Sequence, residues 1–200
     1  MEVDLAYLAS LNLKEAFSGE SAFEKIEVEE DYLTELFEQT DRSSVFVCDD
    51  ENRGFSCFVN DTNGIGRDKV FFIKNVNHRI VFLMRIDGVL FDRRSKCDCA
   101  VLFGREMDFI EFKTNAGNKT EVSMDAQYSK SYSQLLLSVK EFDKRYDGMD
   151  ASFRDRFEVI QAYAVFNPTV PNSNASQKRL AAQFAKETKI KLSFTNSKSI

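Results

Sequence analysis

Seven apolar residues, Met124, Tyr128, Tyr132, Leu135, Val139, Phe142 and Tyr146, stand 4, 4, 3, 4, 3 and 4 positions apart. That spacing draws one continuous stripe down a helix over 122–146. A stripe of this length must be covered by apolar surface, and the chain supplies strands on both sides of it. Two runs, about 97–103 and 107–113, precede it and are separated by a short turn containing Gly104-Arg105. They are rich in β-branched and aromatic residues and read as a hairpin. The run "FEVIQAYAVFNP" follows the helix and reads as a buried strand over 158–166. A strand–helix–strand step of this kind pairs its strands in parallel or brackets a third.

The remaining elements fill in around this unit. Residues 4–17 and 22–39 read as helices, the second with Tyr32, Leu33, Leu36 and Phe37 at helical spacing. "VFVCDDENRGFSCFV" reads as a hairpin of 45–48 and 55–59, and "KVFFIKNVNHRIVFLMRIDG" as a second hairpin turning near Asn75–His78. Asp87-Gly88 is a tight-turn pair. A capped basic helix follows Asn174, and "KIKLSF" is a last strand. Helices interleaved with a mixed sheet give an α/β (α+β) class, a central mixed β-sheet flanked by helices. At 200 residues this is one domain. Its core spans about 79–166, and residues 1–70 form a helical and hairpin embellishment.

Composition narrows the compartment. No apolar run reaches the roughly 18 residues of a membrane helix. The first residues carry acids where a signal peptide needs bases. A cytoplasmic protein with no membrane association is expected. Cys48, Cys57, Cys97 and Cys99 lack zinc spacing and read as buried reduced thiols, with Cys97 and Cys99 on one face of a strand. The Asn-x-Ser/Thr matches at Asn60, Asn118 and Asn174 carry weight only in a secreted chain. The net charge of −5 hides an asymmetry: residues 1–41 hold 12 acids and 2 lysines, whereas 178–198 hold six bases and one acid. A basic segment of this kind suits an anionic ligand, or is an ordinary solvated face.

The hairpin carries residues that a purely structural strand would avoid. Asp98 heads its first strand, and Glu111 and Lys113 lie in the second, sharing a face with Phe109 while Ile110 and Phe112 point the other way. Pairing Phe103 with Glu106 sets position 98 opposite 111, which joins two carboxylates with a lysine beside them. Such a set can hold one or two Mg²⁺ ions through oxygen. The alternative is a solvated cross-strand ion group.

Asp98, twelve intervening residues, then Glu111-Phe112-Lys113 resembles the PD-(D/E)xK nuclease superfamily, the restriction-endonuclease-like fold. The "CAVLF" after Asp98, "FIEFKTN" around the Glu-x-Lys, the long helix with Gln127 and Gln134, and the strand "AYAVF" come in the order that family has. The resemblance covers about 79–166. It implies a Mg²⁺-dependent (or Mn²⁺-dependent) nuclease that hydrolyses phosphodiester bonds, DNA being favoured over RNA, in defence against foreign DNA or in repair. Asp98 and Glu111 would bind metal and Lys113 would assist the attacking water. Arg93, Arg94, Lys96, Gln127, Lys130 and Gln134 are candidate nucleic-acid contacts. A homodimer or a partner protein would supply specificity. The alternative is a non-catalytic binding or regulatory module on the same scaffold.

The sequence departs from the pattern in places. Cys97 stands where the motif has Pro. No one of Glu24, Glu27, Glu29 and Glu30 is singled out as the upstream acid. Gln127 is followed four positions on by Ser131, so a Gln-x-x-x-Tyr signature is missing. Glu187-Thr188-Lys189 also fits Glu-x-Lys, but at an expected helix end with no aspartate-bearing strand beside it, and reads as a decoy. Gly64-Ile65-Gly66 lacks the third glycine of a dinucleotide fingerprint. The lone histidine, His78, reads as an exposed turn residue and makes His-dependent hydrolase chemistry improbable. Asp87 is either a plain turn residue or an extra carboxylate for the metal.

Overall fold

The computed structural model describes residues 5–18, 35–50, 52–66, 69–91, 96–113, 121–167 and 174–200. Its strands are β1 (Phe37–Thr40), β2 (Ser44–Asp50), β3 (Phe55–Val59), β4 (Val70–Lys74), β5 (Val81–Arg85), β6 (Cys99–Phe103), β7 (Glu106–Phe112), β8 (Val159–Val165), β9 (Lys191–Ser193) and β10 (Ser197–Ser199). Its helices are α1 (Leu5–Ser10), α2 (Leu13–Ala16), α3 (Glu121–Arg145), α4 (Phe153–Arg156) and α5 (Ala175–Thr188). One sheet has six strands in the order β1-β5-β6-β7-β8-β9, and the other has four in the order β10-β4-β2-β3. This is the mixed-sheet α/β class that the sequence pattern calls for. Among the described residues no helix is long and apolar enough to cross a membrane.

The strand–helix–strand unit takes its simplest form. β7 and β8 pair directly and in parallel, with Phe112 beside Val165, and β8 pairs in parallel with β9. The stripe on α3 is the reason: Tyr128, Tyr132, Leu135, Val139, Phe142 and Tyr146 are all buried. Phe142 meets Phe109 of β7 and Phe17 edge-on, with ring centroids 5.1 and 4.8 Å apart. Such pairs contribute about 0.5–1.5 kcal/mol beyond their burial.

Both faces of the large sheet are covered, and by different layers. On one face the helices close a core that includes Ala100, Leu102, Met107 and Phe109. On the other, Val101, Phe103, Ile110 and Phe112 pack against Val45, Val47, Phe71 and Ile73 of the small sheet. Among the described residues, helices flank the central sheet on one side and a second sheet covers the other. Alternate residues of β7 feed alternate cores, as the period-two pattern requires.

Four expectations are corrected. β4 and β5 do not form a hairpin, because β4 joins the small sheet and β5 the large one. The fully buried Asn75 makes the crossing: its Nδ2 donates to the carbonyls of Arg42 and Arg79, and its Oδ1 accepts from the Arg79 N–H. Those bonds replace the ladder a hairpin would have. The helix expected over 22–39 does not reach position 39. Phe37–Thr40 is a strand paired with β5, and 22–34 lie outside the described residues. The helix over 4–17 breaks in two at Asn12, which takes a left-handed φ of 52°. Cys97 and Cys99 face opposite cores, since regular alternation begins only at Cys99.

A last short strand ties the two sheets together. β10 pairs in parallel with β4. From it Lys198 reaches across to the large sheet, where its Nζ donates to Asp108 at 2.9 Å and lies 4.6 Å from the Phe103 ring centre.

Candidate active site

The β6–β7 hairpin has the register expected of it. Phe103 lies opposite Glu106 and Cys99 opposite Ile110, position numbers that sum to 209, and the next step of that register would set Asp98 against Glu111. The ladder itself stops at Cys99. Beyond it the Phe112 N–H donates to Asp98 Oδ2 at 2.6 Å. The Asp98 carbonyl accepts from the N–H groups of Ile86 and Asp87 at 3.0 and 3.3 Å. Asp98 thus joins the ends of β5 and β7 where the backbone ladder has run out.

Glu111 and Lys113 project toward α3, the side of Phe109, and the glutamate accepts directly from the lysine. Neither is a solvated surface group. Glu111 is 1% exposed and Lys113 8%. The Lys113 Nζ also donates to Gln134 Oε1 at 2.7 Å, and Gln134 Nε2 donates to the Lys96 carbonyl at 3.0 Å. Glu111 Oε2 is buried and has no hydrogen-bond partner.

Electrostatics follow from this burial. Desolvation raises the Asp98 carboxyl to about 7, opposed by the Phe112 N–H and reinforced by the charge of Asp49. Glu111 is raised for the same leading reason, with the Asp98 charge adding to the rise and Lys113 opposing it. Asp87 is raised more modestly by burial, countered by the Gly88 N–H and then Lys113. Its neighbour Gly88 has φ of 76°, so the Asp-Gly pair is the tight turn the dipeptide predicts. The four cysteines are free and buried, and those beside the site, Cys97 and Cys99, are pushed up by desolvation.

The other candidate contacts separate. Lys96 is buried, and its Nζ donates to the Leu137 carbonyl and Glu141 at 3.1 and 3.2 Å, so it anchors to α3 and does not face solvent. Gln134 is a partner of Lys113. Gln127 is half-buried two turns before Gln134 on the same helical stripe, and Lys130 is exposed. Arg93 and Arg94, like Glu24, Glu27, Glu29 and Glu30, lie outside the described residues. Lys189 caps the end of α5 with φ of 60°, and Glu187 accepts from the Tyr132 hydroxyl at 2.7 Å. The decoy Glu-x-Lys is a helix terminus.

Sequence reasoning missed the other edge of α3. Ser138 Oγ accepts from the Cys97 N–H at 2.9 Å, and Glu141 takes Lys96. Gln127, Ser131, Gln134, Ser138 and Glu141 repeat at the same four-and-three spacing as the apolar stripe. This second, polar stripe receives the segment that leads into Asp98, and its period was readable beside the first.

No family model, curated protein or solved structure matches the chain. The resemblance to a nuclease family therefore rests on the spacing of Asp98, Glu111 and Lys113 and on the order of elements around them.

Two features of the site suit a divalent cation. One is the orphaned oxygen of Glu111. The other is a pair of opposed carboxylates whose ionised forms are disfavoured by burial, which a cation would reverse. Among the described residues no three His, Cys, Asp or Glu side chains are gathered as a metal group. A cation here would rest on two carboxylates, with water and substrate oxygens completing its shell, which is the habit of Mg²⁺.

Proposed function

We propose that the protein is a Mg²⁺-dependent nuclease whose active site is Asp98, Glu111 and Lys113, with DNA as the favoured substrate. The observation that carries this reading is the partnerless oxygen of buried Glu111, within reach of the Asp98 charge and beside a lysine held in place by Gln134. Asp98 and Glu111 would hold the ion. A Mg²⁺ bound there polarises a phosphoryl oxygen and lowers the pKa of bound water. The Lys113 side chain lies next to the carboxylates, where it could orient the attacking water and offset charge developing on the phosphorus oxygens. Gln134 sets the direction of that ammonium. The apolar neighbours Phe109, Ile110 and Phe112 hold the strand rigid.

The test is cleavage of supercoiled plasmid, single-stranded DNA and RNA with Mg²⁺, with Mn²⁺ and with chelator. Metal-dependent cleavage that disappears in Glu111→Ala supports the proposal. A wild-type protein that cuts none of these, alone or with a candidate partner protein, removes it. The competing reading is a non-catalytic binding module, and it draws on one observation: Glu111 and Lys113 close on each other with almost no exposure. On that reading Glu111→Ala changes stability and leaves nucleic-acid or partner binding intact.

A further inference from the structure

A second site lies on the same edge of the large sheet. β7, β8 and β9 run parallel, with Ser193 level with Tyr163 and Tyr163 level with Ile110. Their carboxyl ends therefore share one rim, the usual place for ligands in sheets of this kind. At the β9 end of this rim is a hollow lined by Gln177, Lys178, Ala181, Leu192, Ser193, Phe194 and Thr195. It sits against the first turn of α5, a helix of 14 residues capped by Asn174.

Gln177 is what makes the hollow unusual. It is 2% exposed. Its Oε1 accepts from the Asn174 N–H at 3.3 Å, as the third residue of a capping box does. That bond fixes the orientation of the amide, so the other end is the donor, Nε2, and this buried donor has no partner. An unmade buried hydrogen bond is costly, so such a donor calls for an acceptor. The same hollow is lined by Lys178 and Ser193 and lies at the positive end of the α5 dipole, while the Thr195 hydroxyl in its wall donates to the Ser197 carbonyl at 3.4 Å. Among the described residues no carboxylate lines the hollow. The first turn of α5 has no acidic residue. Gln177, Lys178 and Ser193 each bring a side-chain donor to the hollow.

We propose that this hollow is a phosphoryl-binding subsite, with Gln177 Nε2 and Lys178 as its principal donors. The assignment does not depend on nuclease activity. If both proposals hold, the subsite takes a backbone phosphate of the bound strand, two strands over from Glu111 and so about 10 Å away across the rim. Otherwise the same donors take free phosphate or a small phosphorylated molecule.

The experiment titrates inorganic phosphate into the full-length protein without divalent metal and follows the side-chain amide signals by ¹H–¹⁵N spectroscopy. Wild type should show a saturable shift of the Gln177 amide. Gln177→Glu keeps an oxygen for the Asn174 N–H and replaces the donor with a second oxygen, so it should preserve the helix cap and weaken phosphate binding at least tenfold. Lys178→Ala, at an exposed position, should weaken it several-fold and serves as the check if Gln177→Glu folds poorly. A short single-stranded oligonucleotide added in chelator identifies the source. Displacement of phosphate from Gln177 assigns the subsite to a strand, and no displacement assigns it to small phosphorylated ligands. The proposal is overturned if phosphate leaves the Gln177 amide unmoved in wild type, or if folded Gln177→Glu and Lys178→Ala bind it as tightly as wild type. Either result is independent of whether Asp98 and Glu111 support cleavage.

Discussion

Lys113, one residue past β7, and Gln134 of α3 stand 21 positions apart and meet in a hydrogen bond of 2.7 Å. Gln134 carries no charge, so it aims the ammonium without neutralising it. Its other end is committed to the Lys96 carbonyl, which forces the oxygen toward Lys113. Gln134→Leu should therefore cost about 1–3 kcal/mol, the penalty for leaving buried polar groups short of partners. Urea unfolding measures this. Cleavage should slow in the same variant, assayed below its melting temperature, and unchanged rates would show that Lys113 is aimed by something else.

Lys113→Ala should slow single-turnover cleavage by roughly 10²–10³, the loss expected for one charge-stabilising donor. The decoy lysine should behave differently. Lys189 holds a left-handed cap at φ of 60°, so Lys189→Gly should stabilise the fold by about 0.5–1 kcal/mol and leave the cleavage rate alone. Equal losses from the two substitutions in folded protein would mean the wrong Glu-x-Lys carries the chemistry.

Asp98 gives a pH signature. An unfolded aspartate titrates near about 3.9, whereas burial raises Asp98 to about 7 in the fold. Between these values the native state keeps a proton that the unfolded state has released. Its contribution thus falls as pH rises through that window and stays low above about 7. Asp98→Asn keeps an acceptor for the Phe112 N–H and cannot ionise. Without metal, its melting temperature should match wild type near pH 4 and exceed it at pH 8. A wild type that stays the more stable at pH 8 would place the Asp98 carboxyl in a much better solvated setting.

Metal should reverse that trend. Binding to Asp98 and Glu111 requires their ionised forms, so millimolar Mg²⁺ or Mn²⁺ should raise the melting temperature more at pH 8 than at pH 5.5. The rise should vanish in Asp98→Asn. A shift that survives in that variant would put the metal elsewhere.

Much of this was legible because the decisive features are periodic. The stripe from Met124 to Tyr146 fixed α3, and the alternation around Phe109 and Ile110 fixed which way Glu111 points. The hairpin register followed from a short turn. What escaped the sequence depended on contacts between distant residues. Nothing in "KNVNHRI" says that Asn75 will bond Arg42 and send β4 and β5 to different sheets. Phe37 fits a helical stripe as well as a strand until β5 offers it a partner. Cys97 leaves the strand pattern because Ser138 takes its N–H, a bond from 41 positions away. Burial of the Glu111–Lys113 pair was likewise invisible, since two charges in a strand read equally well as solvated.

The pairing of β10 with β4 sets a condition on how the fold is reached. Ser197 lies opposite Phe72, so one edge of the small sheet is closed by chain made long after it. Closing a loop of that length is slow compared with forming the neighbouring hairpin. During synthesis the β4 edge stays open and can pair with other chains. Lys198 then bonds Asp108 of the large sheet as β10 docks. The late strand that protects β4 also adds Lys198 to the contacts that join the two sheets. A peptide carrying the 196–200 sequence, supplied to a chain shortened at 195, would act as an assembly factor, restoring by addition what the intact chain does by waiting.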